Sequence, residues 1–317
     1  MKHLISLKEQ TKEDLLEILD LAKKVKATYK AGETMEPLKN KTLLMLFQKS
    51  STRTRLSFEA GITELGGHAI FLDSRATQFS LTDFGDEIKA VMRFGDILMF
   101  RAMKAADVEK AAGFNQIPVI DGCSEKYHPC QALGDILTMS EHANGLENVK
   151  KITWLGIENN VSNTLTLAGA KLGIEVTIAA PEANPASVDA ELNAQASAVG
   201  KVTRTLNLAE ALAGANFIHT DTWMDMEFFS DGKVKPQFEA EYERRKRVFT
   251  PFQLNAGLIN THAPQAKIMH CMPCHVGYEI SRDAIDHPNS IIFDQAENRK
   301  HIQKAIILWL LGIPSPL

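Results

Sequence analysis

The sequence predicts an α/β fold of two domains, each a mainly parallel sheet flanked by helices, joined by long interdomain helices. Three observations predict it. The 317 residues exceed the roughly 100–200 residues usual for one domain. Short apolar runs alternate with stretches of helical spacing along the chain, the pattern of sheets with helices on both faces. A turn-rich break, Asn144-Gly145-Leu146-Glu147-Asn148, falls near the middle and places the hinge there. In order, Lys12–Ala27 has helical periodicity, Thr42–Phe47 reads as a buried strand, and Leu56–Gly66 is helical. His68–Leu72, Ile97–Phe100 and Pro118–Ile120 complete the strands of a first half running to about Gly122. Gln131–Ala143 is a long helix, and Lys151–Leu155, Glu175–Ala180, Phe217–Thr220, Lys267–Met269 and Ser290–Phe293 supply the second set of strands. An apolar helix over His301–Leu311 ends at Gly312 and Pro314.

Composition excludes several classes. A formal net charge of -4 argues against nucleic acid as a partner, since such proteins usually present a basic surface. The run Arg244-Arg245-Lys246-Arg247 adjoins Glu241 and Glu243 and reads as a solvated helix face. No segment approaches the roughly 20 apolar residues that cross a bilayer, and the first residues are too short a run for a signal peptide. A cytoplasmic protein is expected, and the sparse cysteines, Cys123, Cys130, Cys271 and Cys274, are expected to be reduced. Cys271 and Cys274 have C-x-x-C spacing, but without a second pair, or the start of a βαβ unit ahead of them, no metal site is predicted. Lys151–Leu155 leads into a turn with the single glycine Gly156, which lacks G-x-G-x-x-G, so no nicotinamide or other cofactor is predicted.

The chemistry concentrates in short motifs. Ser51-Thr52-Arg53-Thr54-Arg55 lies between a buried strand and a helix. Unpaired N–H groups and the positive end of a helix dipole meet an anion at such a turn. Guanidinium forks from Arg53 and Arg55 and short hydroxyls add donors suited to phosphate. His128 and Gln131 flank Pro129 at a helix start and project from one turn, so an imidazole and an amide can face one ligand.

These motifs, with Asp221-Thr222-Trp223, His270-Cys271-Met272-Pro273 and Glu297-Asn298-Arg299 in the same order, resemble those of the aspartate and ornithine carbamoyltransferases over nearly the whole chain. The resemblance implies a carbamoyl-phosphate domain over 1–145, with 300–317 packing back on it, and an acceptor-amine domain over 146–299. Ser51, Thr52, Arg53, Thr54 and Arg101 would hold the phosphate, and His128, Gln131 and Arg299 the carbamoyl group. Gln78 would reach a neighbouring subunit's phosphate site, which implies a homotrimer with shared sites. Asn160 is the implied contact to the amino-acid substrate, with Asn159 and Asn163 as alternatives. Cys271 separates the branches, because aspartate enzymes carry leucine there. The implied reaction moves the carbamoyl group of carbamoyl phosphate to the side-chain amine of ornithine, giving citrulline and phosphate in arginine metabolism. An alkyl amine of pKa near ~10.4 must lose a proton first, and Asp221 and Cys271 are the candidates to orient it and draw the proton off.

The sequence departs from the family in two places. After Trp223 the ornithine branch has Ser-Met-Gly, whereas this chain has Asp225, Met226 and Glu227. Met226 keeps the family's contact, but two added carboxylates favour an acceptor with less negative charge. Putrescine, another diamine or a modified ornithine is the alternative acceptor, and an inactive phosphate-metabolite-binding paralogue the alternative of another class. The loop after Gln78 also lacks the family's basic residue, for which Arg75 could substitute.

Overall fold

The computed structural model describes residues 1–225, 228–230 and 232–313. Its first sheet contains β1 (Thr42–Phe47), β2 (His68–Asp73), β3 (Ile97–Arg101) and β4 (Val119–Asp121) in the order β2-β1-β3-β4, all parallel. The second has the order β11-β8-β5-β6-β7, again all parallel, from β5 (Lys151–Leu155), β6 (Glu175–Ala179), β7 (Val202–Arg204), β8 (Phe217–Thr220) and β11 (Lys267–His270). Parallel strands are covered on both faces, which explains why β1 and β5 bury nearly every side chain and read as continuous apolar runs.

Two helices tie the sheets together. Nearly all of α5 (Pro129–His142) is buried, with Pro129 in its first turn and His128 as its N-cap. It packs against α6 (Asn160–Lys171) on one side and α12 (Ile292–Leu310) on the other. The α12 helix also packs on α1 (Lys12–Lys30) and α2 (Thr52–Glu64), so the end of the described chain returns to the first sheet. One apolar cluster runs through both halves, from Leu43, Met45 and Phe58 to Trp154, Val176 and Ile306.

Two sequence expectations fail. Ser290–Phe293 is not a strand: Ser290 makes an isolated parallel bridge to Ile268, and α12 begins at Ile292. Ile291 and Ile292 are buried while Phe293 is exposed, so the run is the apolar start of a helix, which periodicity over four residues cannot separate from a strand. Conversely, β7 was not expected, because this three-residue edge strand carries no long apolar run. The basic run falls on α9 (Glu239–Phe249), where Arg244 pairs with Glu182 and Glu241 and Arg245 with Glu241. Arg245 also donates to the carbonyl of Trp223, so this face braces the segment after β8.

Candidate active site

A cavity of about 780 Å³ opens where the carboxyl ends of both sheets meet, the usual ligand position in open α/β folds. Each wall is a segment leaving a strand: Gln48–Arg53 after β1, Arg101 and Met103 from β3, Cys123 after β4, Asn160 after β5, Asp221–Asp225 after β8 and Cys271–Pro273 after β11. His128 and Gln131 enter from α5 and Arg299 from α12.

One end is built for an anion. Ser51 caps α2 in extended backbone. The Thr54 hydroxyl is buried beneath this cradle, where it meets Ser51 Oγ at 3.0 Å and accepts from Arg299 Nη2 at 3.1 Å and Arg101 Nη1 at 3.4 Å. Thr54 therefore ties the guanidiniums together from below and does not line the cavity. The Nε atoms of Arg53, Arg101 and Arg299 are buried without a partner, and none of these arginines forms an ion pair among the described residues. Burial, then the nearby Arg101, lowers the Arg299 pKa, and burial does the same for Arg53. Clustered, uncompensated cations of this kind suit a multiply charged anion. Arg55 is not part of the cradle, for it pairs with Glu59 at 2.9 Å and lies over the Phe71 ring. Gln78 is outside this cavity's lining, whereas Arg75, paired with Asp73, lies on it.

Next to the cations, burial and then Arg299 and Arg101 push the His128 pKa well below its ordinary value, leaving a neutral imidazole. Its Nδ1 has no partner. Gln131 donates through Nε2 to Asp135 Oδ1 at 2.8 Å, and its Oε1 is unpaired. The amide thus offers an acceptor to the cavity. Asp135 in turn accepts from Gln295 Nε2 at 2.7 Å, and His219 Nε2 lies 3.1 Å from its second oxygen. Trp154 stacks on His219 beneath.

The other end carries Asp221, Asp225 and Cys271. The Cys271 thiol donates to Asp221 Oδ1 at 3.0 Å, while Asn159 Nδ2 donates to Asp221 Oδ2 at 2.7 Å. Burial first, and then Asp221, raise the Cys271 pKa well above the usual thiol range, so the sulfur keeps its proton. Of the three asparagines, Asn160 lines the cavity, donating to Ser124 O at 2.8 Å. Asn163 is spent on the carbonyls of Ser187 and Lys126. Gly156, at φ +107, makes the preceding turn possible, because a Cβ there would sit 2.8 Å from Trp223 Nε1. Met226 and Glu227 lie outside the described residues. Ligand atoms of Asp221, His270 and Cys271 come within 4.8 Å of one another, as a metal would require. Both His270 ring nitrogens are engaged, however, Nδ1 accepting from Met272 N and Nε2 facing Glu279.

Comparison with known proteins decides the family. Residues 2–141 match the family model described as aspartate/ornithine carbamoyltransferase, carbamoyl-P binding domain, and residues 148–310 match its Asp/Orn binding domain. The chain belongs to the aspartate/ornithine carbamoyltransferase family. It is 41% identical over 312 residues to an ornithine carbamoyltransferase of Methanosarcina acetivorans, covering 98% of this chain and 99% of the relative. Among solved structures, it resembles the ornithine carbamoyltransferase from Pyrococcus furiosus with a TM-score of 0.88 at 37% identity, covering 98% of this chain and 97% of the other. An anabolic ornithine carbamoyltransferase from Campylobacter jejuni gives 0.85 at 33% identity over 98% and 99% of the two chains.

Several residues of this carbamoyltransferase cavity were not singled out from the sequence. Lys49, Cys123, Phe229 and Lys235 line it, and Asp135, His219 and Gln295 support it from below. Cys123 has φ 134, with its N–H held by Asp121 Oδ1 at 2.8 Å and its sulfur facing Asn160 Nδ2 at 3.2 Å. Burial opposes ionisation of that thiol, but Arg101, Lys49 and Arg299 outweigh it and lower its pKa. No motif spacing marks these positions; only the Asp four residues after Gln131 on one helix face carried a local signal.

Proposed function

We propose that this chain is an ornithine carbamoyltransferase, moving the carbamoyl group of carbamoyl phosphate to the side-chain amine of ornithine and producing citrulline and phosphate. The observation that carries the reading is the two-ended cavity, with buried unpaired guanidiniums at one end and the Asp221–Cys271 pair at the other. In this reading Ser51, Thr52, Arg53 and Arg101 hold the phosphate, with Thr54 bracing them. Arg299 and neutral His128 donate to the carbamoyl oxygen as it gains charge. The unpaired Gln131 Oε1 accepts from the carbamoyl NH₂. Preorganised donors at such an oxygen are worth about 3 kcal/mol each.

Asp221 and Cys271 receive the acceptor's side-chain ammonium beside the carbamoyl carbon, with Asn160 and Asp225 toward its far end; Met226, the other acceptor contact expected from the sequence, lies outside the described residues. One proton passes from the ammonium to the Asp221 carboxylate, or through it to water, before attack. The nitrogen then forms a bond to the carbonyl carbon, the bond from that carbon to the phosphate oxygen breaks, and the second proton passes to the departing phosphate or to water. Since Cys271 stays protonated, it acts as a donor that fixes the Asp221 carboxylate and not as a nucleophile.

The domain division that accompanies this reading is 1–145 with 300–317 for carbamoyl phosphate and 146–299 for the amine. The assembly is a homotrimer in which Gln78 serves a neighbouring subunit, consistent with its place outside its own cavity. A reducing, cytoplasmic setting suits its four unpaired thiols; among the described residues no helix is long and apolar enough to cross a membrane. Ureido-product formation from carbamoyl phosphate with ornithine, putrescine, lysine, N-acetylornithine and aspartate tests the reading. Ornithine should exceed the others, and a panel without product, or led by another amine, would refute it. Light scattering tests the trimer.

A further inference from the structure

We infer that Gln295 is a positioning residue for both ends of the cavity: its side-chain amide fixes Gln131 through Asp135 and Cys271 through the backbone of His270. This rests on the function proposed above. Gln295 lies near the start of α12, four residues before Arg299, so the two share one helix face. That face meets α5, where Gln131 and Asp135 are likewise four residues apart. The Gln295 side chain is buried, and both of its polar atoms are used. Its Oε1 accepts from the His270 N–H at 2.9 Å, while Nε2 donates to Asp135 Oδ1 at 2.7 Å and lies 2.9 Å from His219 Nε2.

These partners all stand one step from the cavity. His270 ends β11 and is followed by Cys271, and His219 lies in β8 two residues before Asp221. The two strands pair in parallel, with Met269 opposite His219 and His270 opposite Thr220, so one amide sits beneath the strand ends that deliver the Asp221–Cys271 pair. Because β11 is at the edge of its sheet, Gln295 supplies the acceptor that a further strand would offer the His270 N–H. On the other side, Asp135 accepts from Gln131 as well as from Gln295. An apolar side chain of similar volume would fill the same space, but it could not fix the His270 peptide and the Asp135 carboxylate relative to each other. With Gln295 in place, a shift of Cys271 or a turn of the Gln131 amide breaks a hydrogen bond and leaves a buried polar group unsatisfied.

The test is steady-state kinetics of ornithine transfer by the full chain as wild type, Gln295→Met, Gln295→Glu, Asp135→Asn and the double variant Asp135→Asn with Gln295→Met. Gln295→Met nearly keeps the volume and removes every hydrogen bond of the amide. It should lower kcat about tenfold and raise ornithine KM about fivefold, as expected for loss of one hydrogen bond to a charged group and one between neutral groups. Gln295→Glu keeps an oxygen for the His270 N–H, so its ornithine KM should stay within about twofold of wild type. Added to Asp135→Asn, Gln295→Met should cost only about a further twofold in kcat, because both act through Gln131, whereas the rise in KM should persist. KM does not depend on the amount of folded enzyme, so a folding defect cannot imitate the KM results. Changes confined to Tm, a fully additive loss of kcat in the double variant, or an equal rise in KM for Gln295→Met and Gln295→Glu overturns the inference while leaving ornithine transfer standing. No transfer by wild type overturns the proposed function and this inference with it.

Discussion

The Cys271 thiol donates a hydrogen bond to the Asp221 carboxylate at 3.0 Å. Neither residue is unusual alone, and a cysteine in a core is ordinarily inert. The pair matters because Asn159 holds the second Asp221 oxygen from the β5–α6 turn, so one carboxylate is aimed into the cavity by groups from two separate strand ends. In the proposed reaction, that carboxylate is the fixed acceptor for the incoming amine. Asp221→Asn should lower kcat/KM for ornithine by about a hundredfold or more, the range of general base and positioning effects. Cys271→Ser, which keeps a donor, should cost less than Cys271→Ala. Steady-state kinetics with ornithine as the varied substrate checks both, and equal losses for the two cysteine variants would refute the donor role.

The anion end predicts a thermal signature. Arg53, Arg101 and Arg299 are held close together without carboxylate partners, which costs folding free energy until an anion arrives. Saturating phosphate, at about 100 times its Kd, should add about 2.7 kcal/mol and raise Tm by roughly 5 °C. Arg101→Gln should abolish most of that shift and be no less stable than wild type in phosphate-free buffer. Differential scanning fluorimetry with and without phosphate distinguishes these outcomes.

Gln131 is oriented from below. Asp135 accepts from both Gln131 and Gln295, so the Gln131 amide cannot rotate without forfeiting a buried hydrogen bond. Asp135→Asn, nearly isosteric, should lower kcat roughly tenfold, the cost of loosening one charge-assisted hydrogen bond. Ornithine KM should change little and the circular dichroism spectrum should be retained. A matching loss of thermal stability with unaltered kcat would mean that Asp135 serves only the core.

Acid lability should trace in part to His301. Burial, then Lys304, lowers its pKa from 6.5 to about 4. Lys300 and Lys26 add to this, opposed by Glu297, and Tyr29 packs on the ring. Because the folded value lies below the unfolded one, the unfolded chain takes up the proton first as pH falls. The stability is complete above pH 6.5 and is lost progressively toward pH 4, by roughly 3 kcal/mol in all at about 1.36 kcal/mol per unit. His301→Gln should flatten the dependence of urea midpoint on pH across that window, and an unaltered slope would count against the assignment.

The sequence disclosed the fold where physical signals are local. Buried parallel strands such as Thr42–Phe47 read as apolar runs, and Pro129 after His128 marked a helix start. The turn at Ser51 was legible because N-caps and phosphate cradles use the same residue types. What escaped was set by tertiary contact. Ser290–Phe293 has strand composition but begins a helix, because Ile291 and Ile292 face a core visible only once α12 is docked. Thr54 reads as one more hydroxyl of the cradle, yet its burial under two arginines makes it a brace. Lys235 sits ten residues beyond Asp225 with nothing in the sequence to join them, yet both line the cavity.

The most direct measurement of the central claim is the fate of labelled carbon. With ¹³C-carbamoyl phosphate and ornithine, the account predicts that the label appears in a ureido group on the side-chain nitrogen, with one phosphate released per citrulline and the yield suppressed in Asp221→Asn. Label recovered only as carbon dioxide or unreacted carbamoyl phosphate, with the protein folded and phosphate bound, would contradict it.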